Sequence, residues 1–176
     1  MRRIQFYGAM SLDGYLATSD DDLQWLFDTV GGEQANTAEF LAQVDTSIMG
    51  RHTYEATKKL LGTEPLYPEF KNIVLSSSRT VATRDASFAD QDVVSLIEEL
   101  KKQSGKNIWI VGGGKIVTDL IKADLIDDWW IQIAPVLLGQ GKRLFPTGDY
   151  ASRYELVGMK QFNQLAEVRY QRIKSD

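Results

Sequence analysis

The sequence predicts an α/β fold in three layers, with a mixed, mostly parallel sheet between helices and an antiparallel hairpin at its C-terminal end. Three observations predict it. Short apolar runs alternate with amphipathic helical segments as far as Ile121, the pattern of βαβ units. One of these runs, Ile108–Val111, opens directly into Gly112-Gly113-Gly114 and a further helix. The C-terminal stretch then changes character, with Tyr154–Phe162 and Glu167–Ile173 flanking a short turn at Asn163–Leu165.

Taken in order, Arg2–Met10 alternates Ile4, Phe6 and Gly8 against Gln5, Tyr7 and Ala9, as a strand does. Ser11–Gly32 is rich in Asp, Gly and Ser around the apolar patch Leu23–Phe27 and reads as loop. Thr37–Val44 puts Phe40, Leu41 and Val44 on one helical face. Thr46–Gly50 is a brief strand, followed by a helix from His52 to Leu61 that Gly62 ends. Asn72–Ser76 is a further buried strand. Asp92 is placed to cap a helix whose Val93, Ile97 and Leu100 share a face, and Gly105 ends it. Asn107–Val111 is a strand, and Ile116, Val117, Leu120 and Ile121 make the next helix amphipathic. Trp129–Leu137 reads as the strand before the hairpin.

A chain of 176 residues with 43% hydrophobic and 25% charged residues suits one domain over residues 1–176, with a core that needs no staples. The net charge of −4 offers no basic surplus for nucleic acid or an anionic membrane. Trp129–Leu138 is far too short to span a bilayer, and Met1-Arg2-Arg3 leads straight into a strand, so a cytoplasmic protein is expected. There is no cysteine, which removes disulfides and thiolate chemistry. A lone histidine, His52, cannot build a zinc site by itself, so no metal is expected.

Three strand ends carry groups suited to phosphate. At Ile108-Trp-Ile-Val-Gly-Gly-Gly-Lys-Ile116, glycines between a strand and a helix let backbone N–H groups approach a pyrophosphate. Alone the triplet serves equally as a tight turn, and it lacks the spacing of a Rossmann site. At Ile48-Met-Gly-Arg-His-Thr-Tyr54, Gly50 ends a strand and Arg51, His52 and Thr53 open the next helix, a good phosphate pocket or an ordinary solvated cap. At Leu75-Ser-Ser-Ser-Arg79, hydroxyls and one Arg follow a strand; by itself this is a polar turn. Together, Arg51 with Ser77, Ser78 and Arg79 suit a 2′-phosphate, which favours NADPH over NADH.

The three segments Ser-Ile-Met-Gly-Arg-His-Thr-Tyr-Glu55, Ile-Val-Leu-Ser-Ser-Ser78 and Ile-Val-Gly-Gly-Gly-Lys115 resemble, in order and spacing, the cofactor motifs of dihydrofolate reductases. The resemblance implies a dihydrofolate-reductase-like fold and NADPH as cofactor. It implies that Gly50–Thr53 and Ser76, Ser77, Ser78 and Arg79 hold the adenosine phosphates. It places Gly112, Gly113, Gly114, Lys115 and Ile116, after Val111, at the pyrophosphate, and Ala9 and Leu16 beside the nicotinamide.

The substrate half differs from the folate enzymes. Their acidic residue in the helix before the Met-Gly-Arg motif falls at Gln34 to Asn36, or at Glu39 if the gap is moved, and their Arg for the glutamate tail is replaced by Phe70. Met10-Ser-Leu-Asp-Gly-Tyr-Leu-Ala17 and Pro135-Val-Leu-Leu-Gly-Gln-Gly-Lys-Arg-Leu-Phe145 instead resemble the reductase domain of riboflavin biosynthesis, the RibD C-terminal branch. In those enzymes an acid precedes the glycine pair; here Gly112 stands there. This resemblance implies reduction of a ribosylaminopyrimidine such as 5-amino-6-(5-phosphoribosylamino)uracil. A pterin, as in a dihydrofolate reductase, is the alternative substrate, and an NADPH-binding protein without catalysis is the alternative function. Asp13 and Glu39 are the candidates to deliver a proton through water, although Asp13-Gly14 is also a simple turn. Trp25 can stack on a flat heterocycle or anchor its loop. Many relatives of this kind pair as homodimers.

Overall fold

The computed structural model describes residues 1–32, 37–78 and 81–173. Its strands are β1 (Ile4–Ser11), β2 (Tyr15–Ala17), β3 (Val44–Gly50), β4 (Lys71–Leu75), β5 (Ser87–Ala89), β6 (Asn107–Gly112), β7 (Asp128–Ala134), β8 (Lys142–Arg143), β9 (Tyr154–Phe162) and β10 (Leu165–Arg172). Its helices are α1 (Gln24–Phe27), α2 (Thr37–Leu41), α3 (Arg51–Leu61), α4 (Val93–Lys101) and α5 (Gly114–Lys122). The main sheet has the order β5-β4-β3-β6-β1-β7-β10-β9. It is parallel from β5 to β7, and β10 and β9 add antiparallel to that edge.

The three layers follow from the alternation along β1. Ile4 and Phe6 point to one face, where they pack with Ile48, Ile108, Ile110 and Ile131 under α4 and α5. Those helices bury Val93, Leu96, Ile97 and Leu100, and Ile116, Val117, Leu120 and Ile121, each worth roughly 1.5–3 kcal/mol before chain entropy is charged. Tyr7 points to the opposite face, where Phe40 of α2, Trp109 and Trp130 form an aromatic cluster. Met49, Leu66, Val74 and Ala86 extend that face under α3.

Several boundaries depart from the expected pattern, for local reasons. The strand through Trp129 stops at Ala134, because Pro135 has no N–H for the ladder and Val136 N turns back to Ala134 O at 2.8 Å. The chain returns as β8 onto β2, inside the stretch read as loop, and these form a separate two-stranded sheet. The edge strand β5 is three residues long and carries no periodic signal. At the N-terminal edge, Arg3 forks onto Asp128 at 2.7 Å through both Nε and Nη2, and Arg2 pairs with Asp45 and donates to Thr46 Oγ1 at 2.6 Å. Charge thus ties β1, β3 and β7 together at the N-terminal ends of the parallel strands. No described helix is long and apolar enough to cross a membrane.

Candidate functional site

At the C-terminal ends of the parallel strands, two helix N-termini meet. Strands β3 and β6 are neighbours, with Ile48 opposite Ile110 and Met49 opposite Gly112, so α3 and α5 begin side by side. Gly50 caps α3 and Gly113 caps α5, and neither helix has a side-chain cap. The contrast is α4, where Asp92 accepts from Ser95 N at 2.9 Å. A helix start without a side-chain acceptor keeps its first N–H groups for another partner, and the dipole makes an anion the favoured one.

The two caps also touch. A Cβ on Gly113 would lie 3.4 Å from Gly50 N and 3.4 Å from Ile116 Cδ1, and Gly113 itself sits at φ +109, which favours glycine. A Cβ on Gly112 would face Thr53 Oγ1 and Cγ2 at 3.7 Å. Backbone therefore lines the space between the two N-termini, with Ile116, buried, as its floor. This cradle fits a pyrophosphate.

The third strand end joins the first through Arg51. Its Nη1 donates to Ser78 Oγ at 2.6 Å, Ser78 Oγ lies 3.0 Å from Ser76 Oγ, and its Nε holds Glu55 at 2.7 Å. Arg51 and the two serines are thus within reach of one phosphate group. Ser77 and His52 are exposed beside them, whereas Arg79 lies outside the described residues. Lys115 runs along α5 to Asp119 at 2.7 Å instead of turning to the cradle. Val111 packs into the aromatic cluster, Ala9 is half-buried opposite Gln132, and Leu16 packs against the core on the α5 side.

The two candidate carboxylates are already engaged. Asp13 accepts from Ser11 Oγ at 2.6 Å, Leu138 N at 3.1 Å and Gly139 N at 2.7 Å, which hold its pKa down at about 2. It ties the β1–β2 turn to the loop after β7 and is an anion near neutral pH. Glu39 accepts from Arg169 at 2.7 and 3.1 Å and from Lys160 at 2.7 Å, and these cations lower its pKa to about 2. Trp25 is half-buried in α1, and its Nε1 is buried without a partner among the described residues. The segment Gln34 to Asn36 lies outside the described residues.

The depressed Asp13 pKa has a sign. Its contribution to stability is present above the ordinary value of 3.8 and is lost as pH falls towards about 2. Urea unfolding of wild type and Asp13→Asn over a pH series should therefore show a gap that closes across that window. A gap independent of pH would remove the carboxylate from this role.

One group of polar side chains was invisible as a unit in the sequence. Tyr7 Oη accepts from Gln132 Nε2 at 3.0 Å, and the same amide donates to Glu167 Oε2 at 3.3 Å. Glu167 is fully buried and is held by Arg169 Nε at 2.8 Å; the Arg169 guanidinium lies 3.7 Å over the Trp130 ring. The one signal for it was Gln132 itself, a polar residue interrupting an apolar strand.

A family model for the RibD C-terminal domain matches residues 2–166. The chain belongs to the RibD C-terminal domain family. Uncharacterized protein YwjB of Bacillus subtilis (strain 168) is 34% identical over 171 residues, covering 97% of this chain and 98% of that one. Among solved structures, a protein of Shewanella sp. PV-4 assigned by name to riboflavin biosynthesis superposes with a TM-score of 0.84 at 26% identity, over 99% of this chain and all (100%) of that one. The diaminohydroxyphosphoribosylaminopyrimidine deaminase/5-amino-6-(5-phosphoribosylamino)uracil reductase of Thermotoga maritima superposes with a TM-score of 0.70 at 14% identity, over 98% of this chain and 57% of that longer one. The RibD C-terminal fold is thus the expected dihydrofolate-reductase-like one, a mostly parallel sheet with an antiparallel C-terminal pair.

Proposed function

We propose that this protein is a cytoplasmic NADPH-dependent reductase that adds a hydride to a C=N or C=O carbon of a small heterocyclic or sugar-amine substrate. The observation that carries this reading is the pair of helix N-termini meeting at Gly50 and Gly113 with no side-chain cap, extended by Arg51, Ser76 and Ser78. The backbone of Gly50–Thr53 and Gly112–Ile116 would hold the pyrophosphate, and the side chains of Arg51, Ser78 and Ser76 the 2′-phosphate. When bound, NADPH supplies the hydride; the chain supplies position, exclusion of water and a proton. The family and the reductase activity for which the Thermotoga protein is named support a ribosylaminopyrimidine as the substrate class. A folate tail finds no cation at Phe70, whose ring packs against Tyr67 and Trp109 at 6.0 and 6.4 Å.

The test is oxidation of NADPH with a panel of ribosylaminopyrimidines, pterins and dihydrofolate. Turnover of a ribosylaminopyrimidine supports the reading. Binding of NADPH with no oxidation by any of the panel would favour a protein that binds the nucleotide without catalysis. The phosphate assignment is tested separately. Arg51→Gln should weaken NADPH by roughly 10–100-fold, the loss of one charged hydrogen bond of about 1.5–3 kcal/mol, and leave NADH unchanged. Equal losses for both cofactors in a fluorescence titration would remove Arg51 from the 2′-phosphate.

A further inference from the structure

We infer that Tyr7 is the proton-donating catalytic residue of this site, aimed by Gln132 and Glu167; the inference rests on the reductase reading above. Strand register brings these residues together. Ala9 pairs with Gln132, and Gln132 with Glu167, so these three form one row across β1, β7 and β10. Tyr7, Trp130 and Arg169 form the next row towards the N-terminal edge, on the same face. Phe6 pairs with Ile110 on β6, which sets Tyr7 level with Val111, one residue before the Gly112–Gly113 cradle. The Tyr7 hydroxyl rises from the lower row to meet Gln132 in the upper one.

The direction of the phenolic proton follows from the donors present. Glu167 is fully buried, and its carboxylate accepts from Arg169 and from Gln132. It thereby fixes the Gln132 amide with its NH2 towards both Glu167 and Tyr7. Tyr7 Oη accepts from Gln132, so its own O–H points away from that amide, on the side where the exposed Thr37 Oγ1 stands at 3.3 Å. The ring cannot swing away. Phe40 stacks on it at 4.6 Å and 16°, with Trp109 and Trp130 edge-on at 6.4 and 6.5 Å.

The arrangement is a costly way merely to fill a sheet face. Buried ion pairs contribute little net stability, and apolar residues of similar volume serve as well or better. Burying Glu167 and Arg169 to orient one amide has an evident use if that amide positions a reacting hydroxyl. Burial raises the Tyr7 pKa, with a further upward push from Glu167, so the phenol is in its protonated form throughout the neutral range.

The step balances. As the carbon of a substrate C=N bond accepts the hydride, the π pair moves to nitrogen, and the Tyr7 O–H bond breaks to give the N–H proton. The phenolate regains a proton from water reaching it past Thr37. Asp13 and Glu39, both strongly acidic and already paired, are not needed as donors.

The experiment compares wild type with Tyr7→Phe, Gln132→Leu and Glu167→Gln. The charged groups around the phenol are Glu167 and Arg169 on β10, Glu39 on α2 and Lys160 on β9. In Tyr7→Phe, kcat should fall about 100-fold while NADPH affinity and melting temperature hold, and the alkaline limb of the pH–kcat profile should disappear. Gln132→Leu should lower kcat by a smaller factor and leave KM near wild type; it replaces the amide with an apolar side chain of similar volume and guards against failure of Glu167→Gln to fold. A readout independent of turnover is the absorbance titration of the Tyr7 phenol, obtained as wild type minus Tyr7→Phe. It should ionise above the ordinary tyrosine value of 10.0 and move down in Glu167→Gln. Wild-type kcat in Tyr7→Phe, or a phenol titration indifferent to Glu167, overturns the inference and leaves the reductase reading standing. Absence of turnover by wild type with NADPH bound overturns both.

Discussion

Gly113→Val is expected to lower NADPH affinity by roughly 100-fold or more, about 3 kcal/mol, the largest effect of any single change at the cradle. Two causes add. At φ +109 and ψ +105 a β-branched residue is strained, at a cost of order 1–3 kcal/mol. Its first side-chain atom would already stand 3.4 Å from Gly50 N and from Ile116 Cδ1, and the branch methyls would occupy the gap between the two helix N-termini. Those N–H groups would lose access to a phosphate even if the backbone accommodated the strain. Isothermal titration or quenching of tryptophan fluorescence with NADPH measures the affinity, and thermal unfolding measures the strain. Gly114 is the control, since a Cβ there meets nothing within 4 Å and its φ is ordinary; Gly114→Ala should bind NADPH within about threefold of wild type. Comparable binding by Gly113→Val would remove the cradle as the pyrophosphate site.

Phe40→Ala is expected to cost about 3–5 kcal/mol of stability, a large part of the roughly 5–15 kcal/mol that holds a typical domain together. Phe40 is fully buried although α2 has only five residues, and it supplies the stacking partner of Tyr7 and edge contacts to Trp109 and Trp130 at 5.6 and 5.4 Å. Its removal opens a cavity at the meeting of three aromatic rings that cannot collapse without moving the strands beneath them. The melting temperature should fall by roughly 10 °C. Leu60→Ala, on the outer face of α3 and 63% exposed, should leave it almost unchanged. The two substitutions together separate the packing of this face from helix propensity, because leucine and phenylalanine are both replaced by the best helix former. A melting temperature for Phe40→Ala close to that of wild type would mean that the aromatic cluster relaxes around the gap.

Most of the architecture was legible because its signals are local. The four buried residues of α5 recur at helical spacing, Asp92 caps α4 as its residue type suggests, and Gly62 ends α3 where expected. The three polar or glycine-rich strand ends were legible for the same reason, each lying within a few residues of one strand. The small β2–β8 sheet was not, since β8 is two residues long and owes its form to pairing with a segment far away in the chain. Asp13 illustrates the limit at a candidate site. Its place after β1 suggests chemistry, but its partners are the backbone N–H groups of Leu138 and Gly139, more than a hundred residues on.

The sequence by itself determined the α/β class, the positions of most helices and strands, and the three strand ends suited to a dinucleotide. Periodicity, capping and glycine turns are properties of neighbouring residues, and they act wherever the chain goes. Only the tertiary structure decided that Gly50 and Gly113 touch, that Arg51 reaches Ser78, and that Tyr7, Gln132 and Glu167 form one hydrogen-bonded chain. Each of these depends on strand order and register. A shift of one residue in β7 or β10 would turn Gln132 or Glu167 to the opposite face of the sheet.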